Sequence, residues 1–79
     1  MDANYVAEQL NAIQEKIDKG GKNVPIQQAK KEFFETVQRM LEKKGTLDDI
    51  GLLDAINDSL QHDGWLGSSE TFYRGRDSV

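Results

Sequence analysis

The chain has 79 residues, a net charge of −4 and no cysteine. This length allows one domain with a small hydrophobic core, and the absence of cysteine excludes disulfides, thiolate nucleophiles and cysteine-ligated zinc. No apolar run approaches the roughly 20 residues that span a bilayer. Acidic residues interrupt the first 20 positions, which excludes a signal-peptide core there, so we expect a cytoplasmic protein.

The acidic charge is concentrated in one segment. Residues 1–45 carry eight Lys or Arg and seven Asp or Glu, so this part is close to neutral. Residues 46–63 carry five Asp and no Lys or Arg, whereas residues 64–79 balance two Arg against Glu70 and Asp77. A segment with this charge favours a basic partner over a nucleic acid.

A first helix is predicted over residues 3–19. Its apolar residues recur at spacings of 4, 3 and 4, which is typical of one helix face: Val6, Leu10, Ile13 and Ile17. Asp2 is placed to cap the first turn, and Gly20 and Gly21 are placed to end the helix.

A second helix is predicted over residues 25–44, with Pro25 in its first turn and Gly45 ending it. A broad apolar stripe runs along it, formed by Ile26, Ala29, Phe33, Phe34, Val37, Met40 and Leu41. The opposite face carries opposite charges four residues apart, Lys31–Glu35 and Glu35–Arg39. The width of the stripe predicts that this helix contacts both of the others.

A third helix is predicted over residues 47–62. Thr46 and Asp49 have the spacing of a capping box, with Asp in place of the usual Glu. The apolar face consists of Ile50, Leu53, Ile56 and Leu60. Gly51 lowers helix propensity by about 1 kcal/mol relative to Ala, and we expect a neighbouring helix to approach closely there, in preference to a hinge.

The last 16 residues show neither helical nor alternating periodicity. Three amphipathic helices and this segment predict an all-α protein, a small three-helix bundle in residues 1–63 with a non-helical tail in residues 64–79. The tail contains residue types that dominate protein interfaces: Trp65, Leu66, Phe72, Tyr73, Arg74 and Arg76. The alternative is that Trp65 and Phe72 cover the open end of the helical core.

Two groups of residues have the side chains of a reactive site. Asp54, Asp58 and His62 share one helix face, but three groups in one row cannot surround a metal ion. Ser59, His62 and Asp63 have the side-chain types of a hydrolase triad, but they crowd one turn with no evident oxyanion hole. We therefore expect no catalytic, metal or cofactor site, and a protein that is not an enzyme.

These observations favour a small non-enzymatic helical interaction protein of the bacterial or phage accessory type. It would bind another protein through the acidic third helix, at Asp54 and Asp58, or through the aromatic and Arg residues of the tail, and would be able to self-associate. The alternative is a small dimeric nucleic-acid-associated regulator of helix-turn-helix type, because a short turn joins the second and third helices. The lack of Lys and Arg in residues 46–63 argues against that alternative.

Overall fold

In a computed structural model of the chain, residues 1–67 and 70–72 are described, and they form three helices. The helices are α1 (Ala3–Lys19), α2 (Val24–Leu41) and α3 (Leu47–His62). These residues contain no β-strand, so the predicted all-α three-helix class is confirmed. The bounds of α1 and α3 coincide with the predicted ones, and those of α2 do not.

The start of α1 and of α3 follows from side-chain capping. Asp2 accepts a hydrogen bond from the Tyr5 N–H at 2.8 Å. At α3 the Thr46 hydroxyl accepts from the Asp49 N–H at 3.1 Å, and the Asp49 carboxylate accepts from the Thr46 N–H at 3.0 Å. The predicted capping box is therefore present, with Asp serving as the acidic residue.

The end of α2 differs from the prediction. The helix stops at Leu41 because Lys43 adopts a left-handed conformation, with φ of 61°. The Lys44 N–H then donates to the Arg39 carbonyl at 2.8 Å, and the Lys43 N–H donates to the Met40 carbonyl at 3.2 Å. These two bonds form a Schellman motif around a residue other than glycine. The prediction that Gly45 ends α2 is therefore wrong.

The core lies where α2 meets the other two helices. Among the described residues, four apolar side chains are fully buried: Val6 from α1, Val37 and Met40 from α2, and Leu53 from α3. Aromatic rings surround them, and Phe33 and Phe34 meet edge to face with centroids 5.2 Å apart. In the described part of the chain, none of the helices has the length and apolarity needed to cross a membrane.

Gly51 lies away from every neighbouring helix. It is exposed, and a Cβ built on it would meet nothing within 4 Å. The expected close approach of a helix is therefore wrong within this chain. The reason is geometric: at about 100° per residue, Gly51 is roughly 160° from the buried Leu53 around the α3 axis.

Candidate protein-binding surfaces

The side of α3 opposite Leu53 is exposed along its whole length. We call it the outer face of α3, and it consists of Leu47, Asp48, Gly51, Leu52, Ala55, Asp58, Ser59 and His62. Leu47 and Leu52 are exposed to solvent there, and Leu47 is 78% exposed. Gly51 and Ala55 add no bulk, so a partner could approach the helix backbone closely.

Trp65 is 78% exposed at the end of α3. Its backbone is held, because its N–H donates to the Leu60 carbonyl at 2.9 Å, while its ring projects into solvent. Trp65 therefore does not cover the core, and that alternative was wrong for this residue. Leu66, the next residue, is half-buried. Together with Leu47 and Leu52, Trp65 adds an exposed large apolar side chain to the surface along α3.

Carboxylates surround this apolar surface. Asp48, Asp58 and Asp63 are exposed, and residues 46–63 contain no Lys or Arg. Asp54, by contrast, is half-buried and already has an interaction partner. A surface of this charge repels phosphate groups, so the outer face of α3 is unsuited to entering a nucleic-acid groove. It is suited to a segment rich in Lys and Arg.

All of the residues with reactive side-chain types except Asp54 line one open depression. It has a volume of about 460 Å³ and is lined by Asp58, Ser59, His62 and Asp63. The Ser59 hydroxyl donates to the Ala55 carbonyl at 2.9 Å, and His62 Nδ1 lies 3.2 Å from Asp63 Oδ1. Within residues 1–67 and 70–72, no group of three His, Asp or Glu side chains is arranged to hold a metal ion.

A second surface is occupied by the chain's own residues Glu70–Phe72, and we call it the tail site. The Asn57 side chain accepts from the Phe72 N–H at 2.9 Å and donates to the Glu70 carbonyl at 3.3 Å. The Gln61 amide donates to the same carbonyl at 2.7 Å. The Phe72 ring stacks on Phe33, with centroids 6.3 Å apart and planes 12° from parallel.

Phe72, and not Trp65, thus takes the position beside the core that either aromatic residue was predicted to fill. Three further residues of the predicted tail interface, Tyr73, Arg74 and Arg76, lie outside the described residues. The tail site itself was missed by sequence reasoning. A signal was present, because Asn57 follows Leu53 by four residues and so places an amide within the apolar stripe of α3.

Sequence reasoning also missed the main polar contact between α2 and α3. Arg39 binds the Asp49 carboxylate with two nitrogens, at 2.8 and 2.7 Å. This bidentate pair, helped by the Thr46 N–H, lowers the pKa of Asp49 from its ordinary 3.8 to about 2, against the opposing effect of burial. The sequence predicted that Arg39 pairs with Glu35. In the structure, the carboxylate that Arg39 binds is that of Asp49.

Lys31, which was predicted to pair with Glu35, also has a different partner. The Lys31 ammonium donates to the Gln14 side chain at 2.9 Å, and this bond joins α2 to α1. The i,i+4 rule considers only one helix, whereas long side chains at a helix interface also reach the neighbouring helix. Both contacts therefore depend on how the helices pack.

Comparisons of the chain with protein-family models, with curated proteins and with solved structures find no match.

Proposed function

We propose that this chain is a small non-enzymatic interaction protein that binds another protein through the outer face of α3 and Trp65. The observation that carries the proposal is the exposure of large apolar side chains along the outer face of α3 and just beyond its C-terminal end, namely Leu47, Leu52 and Trp65. Exposed apolar side chains rimmed by polar groups are a feature of interaction sites, and Trp is enriched among the residues that contribute most to binding.

The charge around these side chains defines the partner. Exposed carboxylates at Asp48, Asp58 and Asp63 complement Lys and Arg, while the leucines and Trp65 complement an apolar stripe. An amphipathic helix with one apolar and one basic face supplies both features. The acidic groups speed the encounter and select against acidic partners, and the apolar contacts supply most of the affinity.

Tyr73, Arg74 and Arg76 belong to the proposal from their residue types alone. Self-association and a cytoplasmic accessory role, of the bacterial or phage kind, belong to it on the basis of size and composition. Deleting residues 73–79 tests the contribution of these residues, because the deletion removes none of the residues that define the tail site or the outer face of α3.

The experiment uses a fluorescein-labelled amphipathic helical peptide with Leu on one face and Lys on the other. Its anisotropy is titrated with the wild-type chain, with the Leu52→Ala/Trp65→Ala variant and with Ile26→Ala. Ile26 is the matched control, since it is 57% exposed but lies on α2. We expect binding at least tenfold weaker for the double variant, equal binding for Ile26→Ala, and weaker binding as ionic strength rises.

Two results would contradict the proposal. One is equal affinity of the peptide for all three chains, which would show that the outer face of α3 and Trp65 make no special contribution. The other is equal binding of a control peptide in which every Lys is replaced by Glu. Helical circular dichroism of each variant establishes that the fold is intact.

A further inference from the structure

The Asn57 side chain contacts the backbone of Glu70–Phe72 as a neighbouring β-strand would. Its amide bonds one N–H and one C=O that lie two residues apart, and the side chains of residues 70 and 71 take no part in these bonds. This pattern recognises an extended backbone of any sequence. Selectivity then comes from the third residue, because its ring must stack on Phe33.

Burial shows that these contacts matter to the site. Asn57 is 4% exposed, and a polar group left unpaired at a buried position is unfavourable. Both polar atoms of the Asn57 side chain form their hydrogen bonds with the docked segment: Nδ2 donates to the Glu70 carbonyl, and Oδ1 accepts from the Phe72 N–H. The amide is therefore satisfied by an occupant of the site and not by the helices themselves.

A turn directs the segment into the site. The Glu70 N–H donates to the Gly67 carbonyl at 3.0 Å, and the Glu70 carboxylate accepts from the Gly67 N–H. The chain therefore reverses after α3 and returns along it. The connection is short, so the segment is present at a high effective concentration, in the millimolar range for short flexible linkers.

We infer that the tail site is a peptide-binding site for an extended segment whose third residue is aromatic. Glu70–Phe72 is its intramolecular ligand, and the same segment of a second copy is its intermolecular ligand. The second copy carries a segment of the required chemistry, and the contacts between copies are the same as those within one chain. Because the intramolecular segment competes, binding between copies increases when that segment is weakened.

The probe is a fluorescein-labelled peptide with the sequence of residues 67–79, titrated against the full-length chain. Phe72→Ala removes the ring that anchors the intramolecular segment and leaves the site itself intact. We expect this variant to bind the peptide at least tenfold more tightly than the wild-type chain does. Adding Asn57→Asp to Phe72→Ala keeps the side-chain shape but removes the amide donor. The double variant should bind the peptide at least tenfold more weakly than the Phe72→Ala chain does.

Controls separate a lost site from a lost fold. Gln61→Ala, a change at a half-buried position, should also weaken binding to the Phe72→Ala chain, and circular dichroism reports whether each variant is helical. A peptide carrying Phe72→Ala should not bind. Equal binding to wild type and Phe72→Ala, or equal binding with and without Asn57→Asp and Gln61→Ala, would overturn the inference. The Leu52→Ala/Trp65→Ala chain should bind as wild type does, so this test is independent of the proposed binding of a partner through the outer face of α3 and Trp65.

Discussion

Asp49 combines three interactions at the start of α3. Its carboxylate accepts from the Thr46 N–H and from two nitrogens of Arg39, while its own N–H donates to the Thr46 hydroxyl. The first and last bonds cap α3, and the Arg39 bonds attach α3 to α2. One residue therefore sets both where the helix begins and which part of α2 it meets.

Replacing Asp49 by Asn should remove the charge of this pair and keep the shape of the cap. The lowered pKa corresponds to about 2 kcal/mol, and because the Arg39 side chain is 45% exposed, solvent screening reduces our expectation to about 1–2 kcal/mol at pH 7. Urea unfolding of both chains measures the difference in free energy. Asp48→Asn, on the exposed neighbour, should cost less than about 1 kcal/mol.

The same pair predicts a dependence of stability on pH. A carboxyl group whose pKa is lowered in the folded state contributes fully above its ordinary pKa of 3.8. That contribution is lost as the pH falls from about 4 towards about 2. The stability gap between wild type and Asp49→Asn should therefore narrow over this range, and a gap that stays constant would contradict the assigned pKa.

At the scale of the helices, Gly51 is the position where the residue type most clearly lowers the stability of its helix. It lies inside α3, is exposed, and has open space where a Cβ would be. Gly51→Ala should therefore stabilise the protein by about 0.5–1 kcal/mol, by reducing the conformational entropy of the unfolded chain. Thermal unfolding followed by circular dichroism measures the shift.

Gly20→Ala is the matched control for Gly51→Ala, because it makes the same chemical change at the end of α1. Gly20 has φ of 75°, where a Cβ is strained. This variant should be less stable than wild type although open space surrounds the site. Opposite signs for the two changes would show that backbone conformation, and not exposure, decides the effect. A loss of stability in Gly51→Ala would contradict the assignment of Gly51 to an unpartnered face.

The helix ends show how much of each element is readable from local residues. The caps at Asp2 and Thr46 involve partners three residues away, so their spacing predicted where α1 and α3 begin. The end of α2 involves Lys43, a residue type that rarely adopts a left-handed conformation. Because no glycine occupies that position, the next glycine, Gly45, was predicted to end the helix, and the predicted end lay too far along the chain.

At the scale of the whole molecule, stability depends on very few side chains. Met40 is fully buried beside Val6, Val37 and Leu53. Met40→Ala should cost about 2–5 kcal/mol, a large part of the roughly 4–12 kcal/mol expected for a domain of this size. Urea unfolding should show a clearly lower midpoint for this variant than for the wild-type chain. Ile26→Ala, at an exposed position, should change stability by less than about 0.5 kcal/mol.

The candidate surfaces were only partly predictable. The sequence indicated that an acidic third helix and an aromatic tail were the segments to examine, and Trp65 and Asp58 are indeed exposed. It did not indicate which tail aromatic lies beside the core. Trp65 and Phe72 both have the size and apolarity for that place, and Phe72 takes it because Asn57 and Gln61 bind the backbone that carries it.

By itself, the sequence determined the three helices, most of their apolar faces and the caps that begin two of them. These features depend on residues within about four positions of one another, so periodicity and capping rules describe them. The predicted buried stripe of α2 was wrong at its first turns, because Ile26 and Ala29 are exposed there. Only the tertiary structure decided that Arg39 pairs with Asp49, that Lys31 pairs with Gln14 and that Phe72 stacks on Phe33. Each of these contacts joins residues ten or more positions apart, and their distance is set by how the helices and the returning tail pack together.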